Sequence, residues 1–288
     1  MPPRKRRVRK KIKGSRHLIL ILLLVVAGLF FLYRESGKEK APPEILKPFK
    51  AEKTIPPSVP DLPPPVSLPR VAIVMDDLGH SKNKVMTLFN MKQPLTFSVL
   101  PLQRYSRWTA EEAHRRGYDV ILHIPMEASI KMKLGKGGLY LNMSNREIKD
   151  ILETNINSLP FIKGASSHMG SAFTRDKRAM GNVVSVLKDH DLFFLDSVTS
   201  ADTVGYTIAK ASGAAALRRD VFLDNADDLK EIAHQWERLL NIAKKEGYAI
   251  ALAHPRQNTF DFLKKTLKNN NEISVVPLTD LLVKSNSQ

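Results

Sequence analysis

Asp76 and Asp77 are adjacent carboxylates that directly follow an apolar run in the sequence. Residues 71–75 read Val-Ala-Ile-Val-Met, and Gly79 comes soon after the two acids. This pattern is typical of a buried strand that ends at an acidic turn. Catalytic side chains of parallel α/β proteins collect at the C-terminal ends of strands, where paired carboxylates suit a metal ligand beside a general base. A strand followed by an ordinary polar turn is the alternative.

Four more polar residues follow apolar runs in the same manner: His123, His168, Asp196 and His254. A single histidine on an apolar segment is more often a hydrogen-bonded core residue than a ligand. Three histidines at predicted strand ends instead indicate a common site, because the C-terminal ends of parallel strands meet at one edge. A carboxylate with two imidazoles is a standard ligand set for a catalytic divalent ion such as zinc. Four other histidines fall in predicted helices or polar turns and receive no role: His80, His114, His190 and His234.

The segments that must position these residues alternate between strands and helices. Strand-type runs cover 71–75, 95–100, 119–122, 161–165, 192–195, 215–217, 221–223, 248–253 and 273–276. Helical apolar spacing lies between them, as in 227–246 before Gly247, and after a capping box formed by Ser144 and Glu147. Thr174 is a further candidate helix cap. The repeated alternation predicts an α/β fold with a parallel sheet that closes into a (β/α) barrel.

The N-terminus predicts a membrane anchor. Residues 1–17 hold nine lysines and arginines and no acid, and residues 18–33 carry no charge. This apolar stretch would span about 24 Å as a helix, against a bilayer core of ~30 Å, and the flanking basic side chains can reach the interface. The positive-inside rule keeps residues 1–17 in the cytoplasm and sends the rest of the chain outward. A cleaved signal peptide is the alternative, but residues 31–37 lack a clear cleavage site, which favours an uncleaved anchor.

Composition defines the remaining organisation. Residues 34–69 contain ten prolines, which favour polyproline II and predict a semi-rigid linker. Residues 70–288 suffice for one sizeable domain. The net charge is +16, of which the basic arm contributes nine, so the other residues carry only +7 and give no argument for a nucleic-acid partner. The chain has no cysteine, which excludes disulfides, thiolate zinc sites and cysteine nucleophiles.

Five segments, taken together in their order along the chain, match the sequence motifs of a known family. They are Met75-Asp-Asp-Leu-Gly79, His123-Ile-Pro-Met-Glu127, Ser167-His-Met-Gly-Ser171, Arg219-Asp-Val-Phe-Leu-Asp224 and Ala253-His-Pro255. Together they resemble the divergent polysaccharide deacetylases, relatives of the carbohydrate esterases that remove acetyl groups from chitin and peptidoglycan. The resemblance covers residues 70–283. It implies a deformed, TIM-like (β/α) barrel of seven strands with a divalent metal, by resemblance Zn²⁺, at the strand C-termini.

The resemblance also implies residue roles. Asp77 is similar to the family's carboxylate ligand and Asp76 to its general base. His123 and His168 resemble the imidazole ligands, and His254 resembles the general acid. The implied reaction is metal-assisted hydrolysis of an acetamide.

Glu127 marks a departure from the wider superfamily. Ordinary members carry His-x-x-x-His in the second motif, and the matching positions here are His123 and Glu127. Either Glu127 or His168 then completes the ligand set. We prefer His168, because Gly170 and Ser171 would let the backbone approach a ligand closely.

Arg219 and Asp196 are two accessory candidates with open roles. The superfamily's arginine–proline motif, which steadies the base, is missing, and Arg219 either substitutes for it or pairs with Asp220 or Asp224 as a structural bridge. Asp196 either orients His254, positions substrate, or caps a turn.

Three functions are compatible with these residues. The first is a membrane-anchored deacetylase of an amino-sugar polymer of the cell envelope, and retention of Asp76, Asp77 and His254 favours it. The second is a catalytically weak carbohydrate-binding or scaffold protein on the same barrel. The third is a metal-dependent hydrolase of another acyl or amide bond. The anchor and the resemblance together place the chain in a bacterial inner membrane as a single-pass protein, with its N-terminus cytoplasmic and its domain periplasmic.

Overall fold

The structure of the protein, a computed structural model, describes residues 67–282. The predicted basic arm at 1–17, the anchor at 18–33 and nearly all of the proline-rich linker at 34–69 lie outside the described residues. Within residues 67–282, no helix combines the length and the apolar character needed to cross a membrane.

Strands and helices alternate through the described part of the chain, as the sequence pattern predicts. The strands are β1 (Arg70–Leu78), β2 (Thr96–Val99), β3 (Asp119–Met126), β4 (Gly164–Met169), β5 (Phe193–Asp196), β6 (Ala216–Arg218), β7 (Val221–Phe222), β8 (Tyr248–Ala253) and β9 (Ser274–Val275). The helices are α1 (Lys82–Asn90), α2 (Ser106–Arg115), α3 (Asn145–Ser158), α4 (Lys177–Asp189), α5 (Gly205–Ala211), α6 (Leu229–Glu246) and α7 (Gln257–Lys268). Two 3₁₀ turns, Phe173–Arg175 and Leu278–Leu281, complete the set.

All strand pairs of the sheet are parallel. The strand order is β6-β5-β4-β3-β2-β1-β8-β7, and β9 pairs beside β1. Parallel neighbours need crossover connections, which the helices provide. The result is a TIM-like parallel α/β sheet that curves toward closure, with the strand C-termini at one rim.

The two edges of the sheet meet at Arg219 and Asp220. The Arg219 backbone N–H donates to the carbonyl of Asp196 in β5, whereas the next N–H, of Asp220, donates to Ile250 in β8. The chain therefore crosses from one edge to the other within two residues, and β6 and β7 form no ladder with each other. The prediction of a seven-stranded closed barrel is corrected here: the sixth position is divided into two short strands, β6 and β7, which leaves a half-barrel of eight strands plus β9.

Side chains that point into the barrel change character along each strand. At the N-terminal half these inward positions are apolar and pack together as one cluster: Ala72, Val74, Ile121, Phe193, Leu195, Leu217, Ile250, Leu252, Leu278 and Leu281. Because side chains alternate with a period of two, the same inward columns continue to Asp76, His123 and His254 at the C-terminal rim. The inward side chains of the N-terminal half therefore form an apolar core, and those at the C-terminal rim are the polar residues of the candidate site.

Four local predictions are settled by this fold. The capping box of Ser144 and Glu147 and the stop at Gly247, which has φ 80°, are confirmed. Thr174 does not cap α4, because Asp176 is its N-cap and the Thr174 hydroxyl donates to the Gly170 carbonyl instead. The strand predicted at 161–165 begins only at Gly164, since Phe161 is exposed with φ 64°.

Candidate metal centre

Asp77 reaches the inside of the barrel through an irregularity in β1. Adjacent strand residues normally face opposite sides, so Asp76 and Asp77 should diverge. Pairing with β2 shifts register between Met75 and Leu78, and Asp77 has φ 57°. Bulges re-aim side chains in this manner, and aspartate tolerates the left-handed conformation better than most residues. The distortion therefore brings both carboxylates to the same site.

Three predicted ligands converge at the rim. Asp77 Oδ1 lies 2.7 Å from His168 Nδ1 and 3.2 Å from His123 Nε2. One ligand atom from each of the three residues falls within 4.8 Å of the others. His123 comes from β3 and His168 from β4, and Pro125 and His168 are register partners in that ladder. Adjacent parallel strands therefore deliver the two imidazoles side by side.

The geometry of the three groups fits a divalent ion. Asp77 Oδ1 is buried and accepts no hydrogen bond, although two imidazole nitrogens are close to it. Lone pairs that face a shared point are expected around a cation, and ligand atoms at ~2.0–2.1 Å from a tetrahedral ion are about 3.3 Å apart. The 3.2 Å from Asp77 Oδ1 to His123 Nε2 matches this spacing, whereas the 2.7 Å to His168 Nδ1 would have to lengthen when an ion binds. Burial raises the pKa of Asp77, but the imidazoles of His123 and His168 outweigh it and hold the pKa well below its ordinary value. The carboxylate is thus ionised and available as a ligand.

His123 is oriented by two serines that the sequence analysis did not identify. Its Nδ1 lies 2.8 Å from Ser166 Oγ, which in turn lies 3.0 Å from Ser98 Oγ. With Nδ1–H donating to Ser166, Nε2 presents a lone pair toward Asp77. Such outer partners fix the tautomer and the ring direction of metal-binding histidines. Both serines occupy inward positions of their strands, a signal that becomes readable once strand register is known.

Asp76 lies behind His123. Its side chain is buried, and Oδ1 is 3.5 Å from His123 Nδ1 without a hydrogen bond. Burial raises the pKa of Asp76, and the nearby His123 opposes this only in part. A carboxylate with a raised pKa is suited to accepting a proton near neutral pH.

His254 forms a pair with Asp224 next to the three ligands. His254 Nδ1 is 2.8 Å from Asp224 Oδ1, while Asp224 Oδ2 accepts the His254 backbone N–H and the Thr259 hydroxyl. The opposite ring nitrogen, Nε2, is 3.9 Å from Asp77 Oδ2. Burial lowers the pKa of His254, but the bond to Asp224 and the charges of Asp76 and Asp77 outweigh it and raise the pKa. The raised pKa favours the protonated imidazole, and its Nε2 faces the ligand cluster.

Of the roles that the sequence left open for Asp196, the structure shows the turn cap and not the orientation of His254. Its Oδ1 accepts the Val198 N–H, and its Oδ2 accepts the Thr203 hydroxyl and the Tyr206 N–H. All of these partners belong to the loop and helix after β5, so Asp196 fixes that connection. Asp224 orients His254 instead, because it follows β7, the immediate neighbour of β8.

Arg219 forms neither of the predicted pairs with Asp220 or Asp224. Its guanidinium donates to the carbonyls of Ser197 and Val198 and lies 4.2 Å from the Phe222 ring centre. Burial lowers the pKa of Arg219 to about 10. Phe222 stacks on His254 with ring centres 5.8 Å apart. Arg219 therefore packs on Phe222, which in turn packs on His254. It does not contact Asp76.

Glu127 is not part of the metal centre. Its carboxylate accepts the Leu141 N–H at 2.6 Å, and its backbone pairs with Leu139. The side chain fixes the loop after β3, which agrees with the preference for His168 as the third ligand.

A pocket of about 250 Å³ opens onto the centre. Asp77 and His254 line it, together with Gly79, Lys84 and Arg256. His80, which received no role from the sequence, also lines this pocket. The space adjoins both the ligand cluster and the proton donor, as a small substrate group would require.

Comparison with known proteins places this geometry in context. A family model described as divergent polysaccharide deacetylase matches residues 73–282. An uncharacterized protein of Haemophilus influenzae is 35% identical over 200 residues, which cover 69% of this chain and 71% of the relative. The uncharacterized protein YibQ of Escherichia coli is 34% identical over 222 residues, which cover 76% and 69%. A crystal structure of an uncharacterized protein from Agrobacterium tumefaciens has a TM-score of 0.71 and 24% identity over 75% of this chain and 90% of that one, which shows the same fold.

Proposed function

Because the chain belongs to the divergent polysaccharide deacetylase family, we propose that it is a metal-dependent hydrolase that deacetylates an N-acetylated polysaccharide of the cell envelope. The observation that carries the proposal is the convergence of Asp77, His123 and His168 beside the His254–Asp224 pair. One carboxylate oxygen with two imidazole nitrogens is a common catalytic zinc set, so zinc is the proposed ion.

The residues divide the work of hydrolysis. Asp77, His123 and His168 would hold a divalent ion, which when bound would supply Lewis-acid activation of the attacking water and of the acetyl carbonyl. Asp76, a buried carboxylate whose pKa is raised by burial, accepts the proton that this water loses. His254 Nε2 donates a proton to the departing nitrogen, while Asp224 keeps the ring in place. The C–N bond breaks, the water oxygen completes acetate, and the donated proton completes the free amine.

The size and position of the pocket favour an acyl group as the part of the substrate that it binds. Its volume of about 250 Å³ and its position between Asp77 and His254 suit a small acetamide better than a whole sugar chain. The rest of a polymer would extend outside the pocket.

Metal content and acetate release, measured on the same preparations, test the proposal. We expect about one zinc-like ion per untagged full-length chain, and acetate release from N-acetylglucosamine oligomers. His168→Ala should lose both, while Asp76→Asn should keep the ion and lose turnover by about 100-fold or more. Glu127→Gln is the matched control, since that carboxylate binds the Leu141 N–H outside the centre.

Two outcomes would overturn parts of the proposal. A wild-type chain that binds no ion after incubation with zinc, cobalt or nickel would leave a carbohydrate-binding barrel. A His168→Ala protein with full metal content would remove His168 from the ligand set.

The proposed location is the bacterial inner membrane, with the domain in the periplasm. The support is the sequence of residues 1–33, where nine basic residues precede an uncharged apolar stretch. Alkaline phosphatase, which is active only outside the cytoplasm, should be active when fused after residue 69. Deleting residues 18–33 should abolish that activity, and an active deletion would contradict the anchor.

A further inference from the structure

The pocket at the metal centre continues into a larger groove on the outside of the barrel. This groove has a volume of about 740 Å³ and lies between α1 and α7. Lys84, Pro255 and Arg256 line both the pocket and the groove, so the two spaces are contiguous. The residue next to the proton donor His254 is therefore also a wall of the groove. A chain whose acetyl group enters the pocket has a continuous surface along which to lie.

The groove carries an excess of positive charge without partners. Lys84 and Lys264 are exposed, and within residues 67–282 neither ammonium forms an ion pair or a hydrogen bond. Among the described residues, the Arg256 guanidinium donates only to the backbone carbonyl of Asp224. Asp261 is the single carboxylate of the lining, and it accepts the Gln257 amide. Three cations thus face the groove against one acid.

The other lining groups are suited to a sugar chain. Amide side chains of Asn83, Asn90 and Gln257 offer paired donors and acceptors for hydroxyl groups. Phe260 is buried at the base and gives the groove a rigid apolar floor. A purely neutral polymer would use these groups and would leave the cations solvated.

We propose that this groove binds a negatively charged stretch of the polysaccharide, next to the sugar whose acetyl group enters the pocket. Lys84, Arg256 and Lys264 contact carboxylate or phosphate substituents of the neighbouring units. The assignment of an acetylated sugar to the pocket rests on the proposed function, whereas binding of the anionic chain can be measured without turnover. The substrate class is therefore an anionic, N-acetylated glycan.

Binding of matched oligosaccharides tests the proposal with the full-length protein. The three probes are a neutral N-acetylglucosamine pentamer, the same pentamer phosphorylated at O6, and a hyaluronan hexasaccharide, which carries carboxylates. We expect at least one anionic probe to bind more tightly than the neutral one, and the advantage to shrink as salt is raised from 50 to 500 mM, on the order of the screening expected for exposed charges. The anionic probe that binds more tightly identifies the substituent.

Charge-neutral variants locate the binding. Lys84→Gln/Lys264→Gln should weaken the preferred anionic probe by roughly fivefold to tenfold and weaken the neutral probe much less. Lys265→Gln is the matched control, because Lys265 is an exposed lysine of the same helix that does not line the groove. Equal binding of neutral and anionic probes would overturn the proposal, as would an equal loss with Lys265→Gln.

The results distinguish this inference from the proposed function. Acetate release from the neutral pentamer, with no charge-dependent binding, would leave the hydrolase and remove the anionic groove. Charge-dependent binding that requires Lys84 and Lys264, without acetate release from any probe, would leave the groove and remove the hydrolase.

Discussion

Buried aspartates at the two ends of the barrel differ in one decisive respect. At the N-terminal end, Asp119 Oδ1 accepts the Lys163 ammonium at 2.6 Å, and Oδ2 accepts the backbone N–H and hydroxyl of Thr279. At the C-terminal rim, Asp76 and Asp77 each keep a buried oxygen without a hydrogen bond. Asp76 is as buried as Asp119, and Asp77 is 32% exposed apart from its buried Oδ1. Only the N-terminal end satisfies its buried acceptors.

This difference separates structural from functional burial. An unsatisfied buried acceptor costs free energy, so folding alone does not favour it. The hydrogen bonds of Asp119 offset the cost of burying its carboxylate. They join β3 to Lys163 and to the 3₁₀ turn that closes the bottom of the barrel. Asp76 and Asp77 retain acceptors that a metal ion and a moving proton can use. At the rim, acceptor oxygens therefore remain available for function, whereas at the opposite end they are all used to stabilise the fold.

Replacing Asp77 should have the largest effect on the functional end. Asp77→Ala removes the ionised ligand shared by both imidazoles, so metal affinity should fall by more than about 100-fold and acetate release should disappear. Without metal, the variant should lose little unfolding free energy, because it loses the favourable charges of His123 and His168 near Asp77 but also a buried acceptor that has no hydrogen bond. Metal titration and urea unfolding in a chelator measure both. A large loss of metal-free stability would mean that Asp77 is structural, like Asp119.

Asp224→Asn should lower turnover by about 100-fold while metal content is retained. Asp224 acts through His254, and removing its charge lowers the pKa of that imidazole from its raised value. Activity requires the protonated acid, so it declines as the pH rises through this pKa. The alkaline limb of the pH–rate profile should therefore move to lower pH in the variant. An unmoved limb would show that His254 is not the acid, or that Asp224 only supports the fold.

Asp119→Ala should show the opposite response. It leaves Thr279 and the Lys163 ammonium without their acceptor, which should cost about 2–3 kcal/mol of unfolding free energy. Metal bound per folded chain should not change, because the site lies at the other end of β3. Lys163→Ala is the control, and it should cost less because the lysine side chain is 48% exposed. Urea unfolding with metal analysis of the folded fraction tests the pair, and metal loss in Asp119→Ala would erase the contrast between the two ends.

The smallest expected effect concerns the serine behind His123. Ser166→Ala removes the partner of His123 Nδ1 and should weaken metal binding about tenfold, with the ligands themselves intact. Ser167→Ala on the same strand is a matched control, since the Ser167 hydroxyl is buried without a hydrogen-bond partner. Competition with a coloured zinc chelator measures both affinities. Equal losses would assign the effect to strand packing.

The sequence alone determined the alternation of strands and helices and the residues that could act at the strand ends. Strands and helices were predicted from local periodicity, as apolar runs of four to six residues and as helical spacing. Tertiary contacts left most of these elements as predicted. Asp77, His123 and His168 could be nominated together because the C-terminal ends of parallel strands must share one rim. The motifs also indicated the family, which the comparisons confirm.

Only the tertiary structure decided how these residues meet. The left-handed conformation of Asp77 and the register shift in β1 turn the Asp77 carboxylate inward beside that of Asp76. A periodic sequence pattern does not predict such a distortion. Asp224 displaced Asp196 as the partner of His254, because the partner of a side chain depends on strand order in the sheet and not on distance in the chain. The division of the sixth strand position at Arg219 and Asp220 likewise depends on which edges that segment joins. Local periodicity determines which residues face inward, whereas neighbours across the sheet determine which of them are satisfied by the fold and which remain free for chemistry.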